Sequence, residues 1–65
     1  MNVKSFHLNG LQVDIHAEKL PESMMRLIVF INGNEVGEAP YHVSETELDM
    51  AVTNLEQSFR DNLTV

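Results

Sequence analysis

Four residues near the start of the chain, Ser5, His7, Asp14 and His16, are of the types that carry nucleophilic, acid–base or metal chemistry. They flank Asn9-Gly10 in the stretch SFHLNGLQVDIH. If a hairpin turns on that dipeptide, alternation sets all four on one face, with Ser5 opposite Asp14 and His7 opposite Gln12. A hydroxyl, an imidazole and a carboxylate side by side raise acyl transfer, and two imidazoles with a carboxylate raise zinc. Each chemistry needs more than adjacency. Nucleophilic catalysis also requires an oxyanion site, and neither a helix N-terminus nor a glycine nest is expected near Ser5. Neighbours on a twisted hairpin face diverge, His42 falls just ahead of the helix, and no metal-ligand spacing is present. The residues therefore read as a wet surface with no catalytic, cofactor or metal role; any contact made there is expected to be with a protein, through Asp14 and His16.

The elements that position this face follow from two Asn-Gly pairs, at Asn9-Gly10 and Asn32-Gly33, each between apolar runs. That dipeptide is the strongest short hairpin signal because a type I′ turn needs positive φ at both central residues. A two-residue first loop sets Leu8 against Leu11, Phe6 against Val13 and Lys4 against Ile15, which gathers the apolar side chains of both strands on one side. The segment EKLPES, residues 18 to 23, reads as a loop ending the second strand, with Lys19 and Glu22 solvated. Residues 24 to 31, MMRLIVFI, are apolar on both alternating sets apart from Arg26, as expected of a central strand. After it, Gly37 and Pro40 predict a short or irregular edge strand ending near Ala39. Its register is open: Val36 is expected opposite either Ile31 or Phe30.

The last third predicts a helix. Ser44 and Glu47 have capping-box spacing, with Val43 and Leu48 placed as a hydrophobic staple. Leu48, Ala51, Val52, Leu55, Phe59 and Leu63 form one apolar stripe, and Asp49, Thr53, Glu56 and Arg60 mark the opposite side. The expected fold is α+β: a single domain over residues 1–65, β-β-β-β-α, with a four-stranded antiparallel sheet and one C-terminal helix on one face. Its expected core is Phe6, Leu8, Leu11, Val13, Ile15, Leu27, Val29, Ile31, Leu48, Val52, Leu55 and Phe59.

A chain of 65 residues spends most of its apolar side chains closing its own core and has little room for a cleft, which argues against an enzyme. With 43% hydrophobic and 22% charged residues it has the composition of a folded domain. The absence of cysteine excludes a disulfide framework and thiolate metal sites and fits a reducing compartment, with the cytoplasm as the default. No signal peptide or membrane span is expected, since the longest apolar run is LIVFI. Ten acidic residues against four basic ones give a formal charge of −6, which repels nucleic acid and anionic membranes and favours a basic partner. Capping accounts for the acids at the helix start, Glu45, Glu47 and Asp49; Asp14, Glu18, Glu22, Glu35, Glu38, Glu56 and Asp61 form a surplus. A second feature is apolar: Met24, Ile28 and Phe30 point away from the helix, and a two-layer fold leaves nothing to cover them unless loop 18 to 23, Met1 or Val3 folds across.

In size, acidity, lack of cysteine and β-sheet-plus-helix architecture the chain resembles the small inhibitor proteins of phages and mobile elements. The nearest comparison is with anti-CRISPR proteins directed against type I, multi-subunit effectors. The resemblance spans the chain but rests on composition and architecture, with no shared motif. It implies a DNA mimic in the cytoplasm of a bacterial host, binding a basic surface of a Cas subunit so that target DNA cannot dock. The residues expected to carry such binding are Asp14, Glu18, Glu35, Glu38, Glu56 and Asp61. The alternative is a homodimeric accessory or regulatory subunit joined through Met24, Ile28 and Phe30.

Overall fold

The computed structural model describes residues 1–63, and the side chains of all of these except 37–41 and 63. The side chains of Glu38, expected among the partner-binding acids, and of Leu63, expected in the helix stripe, lie outside those described. Strands β1 (Asn2–Leu8), β2 (Leu11–Leu20), β3 (Met24–Ile31) and β4 (Asn34–Ser44) form an antiparallel sheet in the order β1-β2-β3-β4. A 3₁₀ turn at Glu45–Glu47 leads into helix α1 (Leu48–Leu63), which covers one face of the sheet. The expected β-β-β-β-α, α+β architecture is the one observed.

Both Asn-Gly pairs adopt the positive φ that a type I′ turn demands: 51° and 80° at Asn9 and Gly10, 52° and 84° at Asn32 and Gly33. The first turn gives the expected register, with Leu8 opposite Leu11, Phe6 opposite Val13 and Lys4 opposite Ile15. The second corrects the sequence reading. Its loop is Asn32-Gly33, so Ile31 pairs with Asn34, and Val36 lies opposite Val29 rather than Ile31 or Phe30. Asn32 also ties the turn to β2: its Oδ1 accepts the Gln12 N–H at 2.9 Å, and its own N–H donates to the Gln12 carbonyl at 2.8 Å.

Two further expectations change. The chain does not leave the sheet at residue 18; β2 continues to Leu20, and the turn is confined to Pro21, Glu22 and Ser23. Nor does β4 end near Ala39. It resumes pairing beyond the Gly37–Pro40 segment, with Tyr41 opposite Leu27, and runs to Ser44 opposite Met24. Between these stretches β4 advances from Val36 to Tyr41 while β3 advances only from Val29 back to Leu27. Extra residues on one strand form a bulge, and that is where an edge strand tolerates glycine and proline.

The helix-side core is built on Val13 and Ile15, fully buried, and Leu27 at 1% exposure, surrounded by Phe6, Leu8, Ala17, Met25, Val29 and Val52. Val3, Ile31, Val43, Leu48, Ala51, Leu55 and Phe59 pack against this cluster half-buried. Met25 and Ala17 thus join the expected core, and Leu11 stands at its margin. Val43 and Leu48 both reach the core as the staple requires, but the capping box does not form. Ser44 makes no side-chain cap bond; its hydroxyl meets that of Thr46 at 3.1 Å, and the helix starts through the 3₁₀ turn, where Leu48 N–H donates to the Glu45 carbonyl.

Glu56 and Arg60 also depart from expectation, because they clamp α1 to β1 instead of facing solvent. One Glu56 carboxylate oxygen accepts two bonds from the Arg60 guanidinium, at 2.7 and 2.9 Å, and the other lies 3.4 Å from Lys4 Nζ. The guanidinium in turn sits 5.1 Å above the Phe6 ring, a cation–π contact. At the other end of the helix, Glu45 N–H donates to the Ser23 carbonyl at 2.9 Å and the Glu45 carboxylate pairs with Lys19 at 3.5 Å. These ties anchor the helix at both ends, and no element among the described residues covers the opposite sheet face. No helix among the described residues is long and apolar enough to cross a membrane.

Candidate functional site

That uncovered face is where the register brings the sequence candidates together. Residues directly opposite in antiparallel strands project to the same side, so the pairings define rows across the face. Ser5, Asp14, Phe30 and Glu35 make one row; Asn2, His16 and Ile28 a second; Glu18, Arg26 and His42 a third; Leu20, Met24 and Ser44 a fourth. His7 and Gln12 lie beside the first row.

The polar corner over β1 and β2 is knitted together. Ser5 Oγ donates to Asp14 Oδ1 at 2.6 Å, Gln12 Nε2 donates to the same oxygen at 3.0 Å, and Asn2 Nδ2 donates to Ser5 Oγ at 2.8 Å. The Ser5 and Gln12 bonds favour the carboxylate over the acid and hold Asp14 below the usual aspartate range; desolvation opposes this, and the proximity of His16 adds a smaller effect in the same direction as the bonds. The hydroxyl is thus committed to a carboxylate and not to an imidazole, which is the wrong partner for an attacking serine. His16 turns the other way and packs its ring against Phe30, centroids 4.7 Å apart and tilted by 53°. The arrangement makes a fixed anionic point at Asp14. Among the described residues no three His, Asp or Glu side chains converge as metal ligands.

The centre of the face is apolar and partly covered by its own neighbours. Ile28, expected to be exposed, is only 8% accessible, while Met24 and Phe30 are half-buried. Ile28 is flanked along β3 by Arg26 and Phe30 and across β2 by His16, and the alkyl stem of an arginine shields apolar surface while its charge stays wet. Neither Val3 nor Met1 provides the cover: Val3 packs into the helix-side core, and Met1 is stitched to the backbone of Ala17. The Arg26 guanidinium reaches Glu18 at 3.7 Å, but its Nε is buried with no hydrogen-bond partner.

The acidic candidates divide into two groups. Asp14, Glu18 and Glu35 share the open face with Met24, Ile28 and Phe30, so the two sets of residues that the sequence offered as alternatives form one surface. Glu56 and Asp61 belong to the helix layer behind it. Glu56 is neutralised by Arg60 and Lys4, and Asp61 accepts a bond from Gln57 at 2.8 Å. Arg26 and His42, absent from the sequence candidates, stand opposite one another in the middle of the face. Arg26 did carry a signal, as the one polar residue in the apolar run of β3; His42 did not, because its facing depends on the β4 bulge.

Cavities offer less. A hollow of about 210 Å³ under the helix is lined by Leu27, Val43, Ala51, Asn54 and Leu55, below the usual size of a ligand pocket. A shallow depression of about 660 Å³ at the N-terminal end of α1 is floored by Ala17, Met25 and Leu48, with the Lys19–Glu45 pair at its rim. The sequence matches no protein-family model, and no curated protein or solved structure matches the chain.

Proposed function

We propose that this protein is a non-enzymatic inhibitor that docks the open face of its sheet onto a basic, nucleic-acid-binding surface of another protein, as an anti-CRISPR protein acting as a DNA mimic would. The single observation behind this reading is the shared face: Asp14 and Glu35 flank Phe30 and Glu18 stands beside Arg26, on the same side of the sheet as half-buried Met24 and Phe30 and buried Ile28. A basic groove shaped for phosphates attracts such a face at long range, and the apolar centre adds contact once water is expelled. Asp14 is held ionised and in place by Ser5 and Gln12, so ordering it on binding costs little. The reading places the protein in the cytoplasm of a bacterial host.

The test is competition. A type I effector complex is incubated with labelled target DNA and rising amounts of the protein, and DNA binding is followed by gel shift at about 50 and about 300 mM salt. Inhibition that weakens with salt and disappears in Glu18→Lys/Glu35→Lys supports the reading. Inhibition that survives the charge reversal, or none at low salt against several basic nucleic-acid-binding complexes, refutes it. The alternative of a homodimer through β3 is separated by light scattering: such a dimer persists at high salt and dissociates in Phe30→Asp. Stacking two copies of this face would bring their carboxylates together, which disfavours that arrangement.

A further inference from the structure

All three histidines of the chain, His7, His16 and His42, project onto the open face, although they come from three different strands. His7 and His42 are exposed and His16 is half-buried. Among the described side chains of that face the fixed charges are Asp14, Glu18 and Glu35 against Arg26. Counted over the described side chains, the face is net anionic with neutral imidazoles and net cationic with all three protonated. Histidine is the side chain whose charge ordinarily changes between about pH 5 and pH 8.

We infer that the histidines gate this face by pH, so that it docks onto a cationic partner near neutrality and releases it on mild acidification. The inference rests on the open-face docking proposed above. The charged groups around each imidazole are few. His16 has Asp14 and Glu18 on its own strand, Ile28 and the Phe30 ring on β3, and Asn2 on β1. His42 faces Arg26, which is paired with Glu18 across β2. His7 faces the uncharged Gln12 and lies two residues from Ser5. The Ser5 and Gln12 hydrogen bonds keep Asp14 ionised across the whole interval, so the change in charge on this face comes from the imidazoles. Three added charges within a Debye length of the partner weaken binding about tenfold or more.

An oligo-arginine peptide is a suitable probe because its own charge does not change in this range. Its Kd for the ¹⁵N-labelled protein is measured by NMR at about pH 7.5 and about pH 5.5, and shifted amides locate the contact. The expected result is shifts on β2, β3 and β4, a Kd at least about tenfold weaker at the lower pH, and a pH ratio reduced to the smaller effect of His16 alone in His7→Gln/His42→Gln. Both replacements are at exposed positions, and circular dichroism verifies the fold of the variant. Contact on the open face with equal Kd at both pH values, or a pH ratio unchanged in the variant, overturns the gate and leaves the docking reading standing. Contact on the helix layer, or no binding, overturns both.

Discussion

The clamp at Glu56 allows a quantitative test of how far an acid of this chain holds the fold together. Replacement of Glu56 by Gln keeps the shape of the side chain and removes its charge from two cations, Arg60 at 2.7 Å within the helix and Lys4 at 3.4 Å on β1. A helix pair at this spacing contributes about 0.3–0.5 kcal/mol, and a partly exposed pair between elements about 0.2–1 kcal/mol. The Glu56 side chain is 19% exposed, so the upper part of these ranges applies and the loss should be about 1 kcal/mol. In a domain of this size that lowers Tm by roughly 4–8 °C. The pH dependence has a definite sign. The Arg60 hydrogen bonds, helped by Lys4 and opposed by desolvation, hold Glu56 below the usual glutamate range in the folded chain. Its contribution is therefore complete above the unfolded value of about 4.3 and fades as pH falls through the lower folded value. Thermal melts of wild type and Glu56→Gln should differ near neutrality and draw together as pH falls below the usual glutamate range. Equal melting at neutral pH, or a gap that persists undiminished at low pH, would refute the clamp. On the proposed inhibitor reading, Glu56→Gln should behave as wild type in the DNA competition assay, because the residue is spent on the helix.

Three other substitutions probe other links in the argument. Glu22 sits at φ 64° in the Pro21–Ser23 turn, a region costly for a side chain with a Cβ, so Glu22→Gly should raise stability by about 1 kcal/mol in urea denaturation. Ser44→Ala should cost no more than a few tenths of a kcal/mol by the same measurement; a loss of about 1 kcal/mol would mean that a side-chain cap forms after all. Ser5→Ala removes the leading hydrogen bond to Asp14, and NMR titration of the carboxyl carbon should find that group moved up toward the ordinary aspartate range.

Much of the fold was legible because its signals are local. The two Asn-Gly turns require a backbone conformation that few other residue pairs accept, and the first hairpin register follows from that turn and from matching apolar sides. The helix stripe from Leu48 to Phe59 reads directly from its spacing. Where two local signals competed, the reading failed. Glycine and proline at 37 and 40 suggested an end to β4, but a bulge absorbs them because residues 41–44 recover pairing with β3. Ser44 and Glu47 matched a cap motif, but Val43 and Leu48 both anchor in the core and the chain enters the helix through a 3₁₀ turn between them.

By itself, the sequence determined the element order, the first register and the alignment of Ser5, His7, Asp14 and His16 on one side, since alternation admits no other outcome once the turn is set. Only the tertiary structure decided which residues of other elements join that alignment. Stacking β3 and β4 beside the first hairpin carries Phe30, Glu35, Arg26 and His42 onto the same face, while docking of α1 consumes Glu56 and Arg60 on the other. The physical reason is range: alternation and turn geometry act over a few residues, whereas the sharing of a face by residues as distant in sequence as Ser5 and His42, 37 positions apart, depends on how three registers add across the sheet.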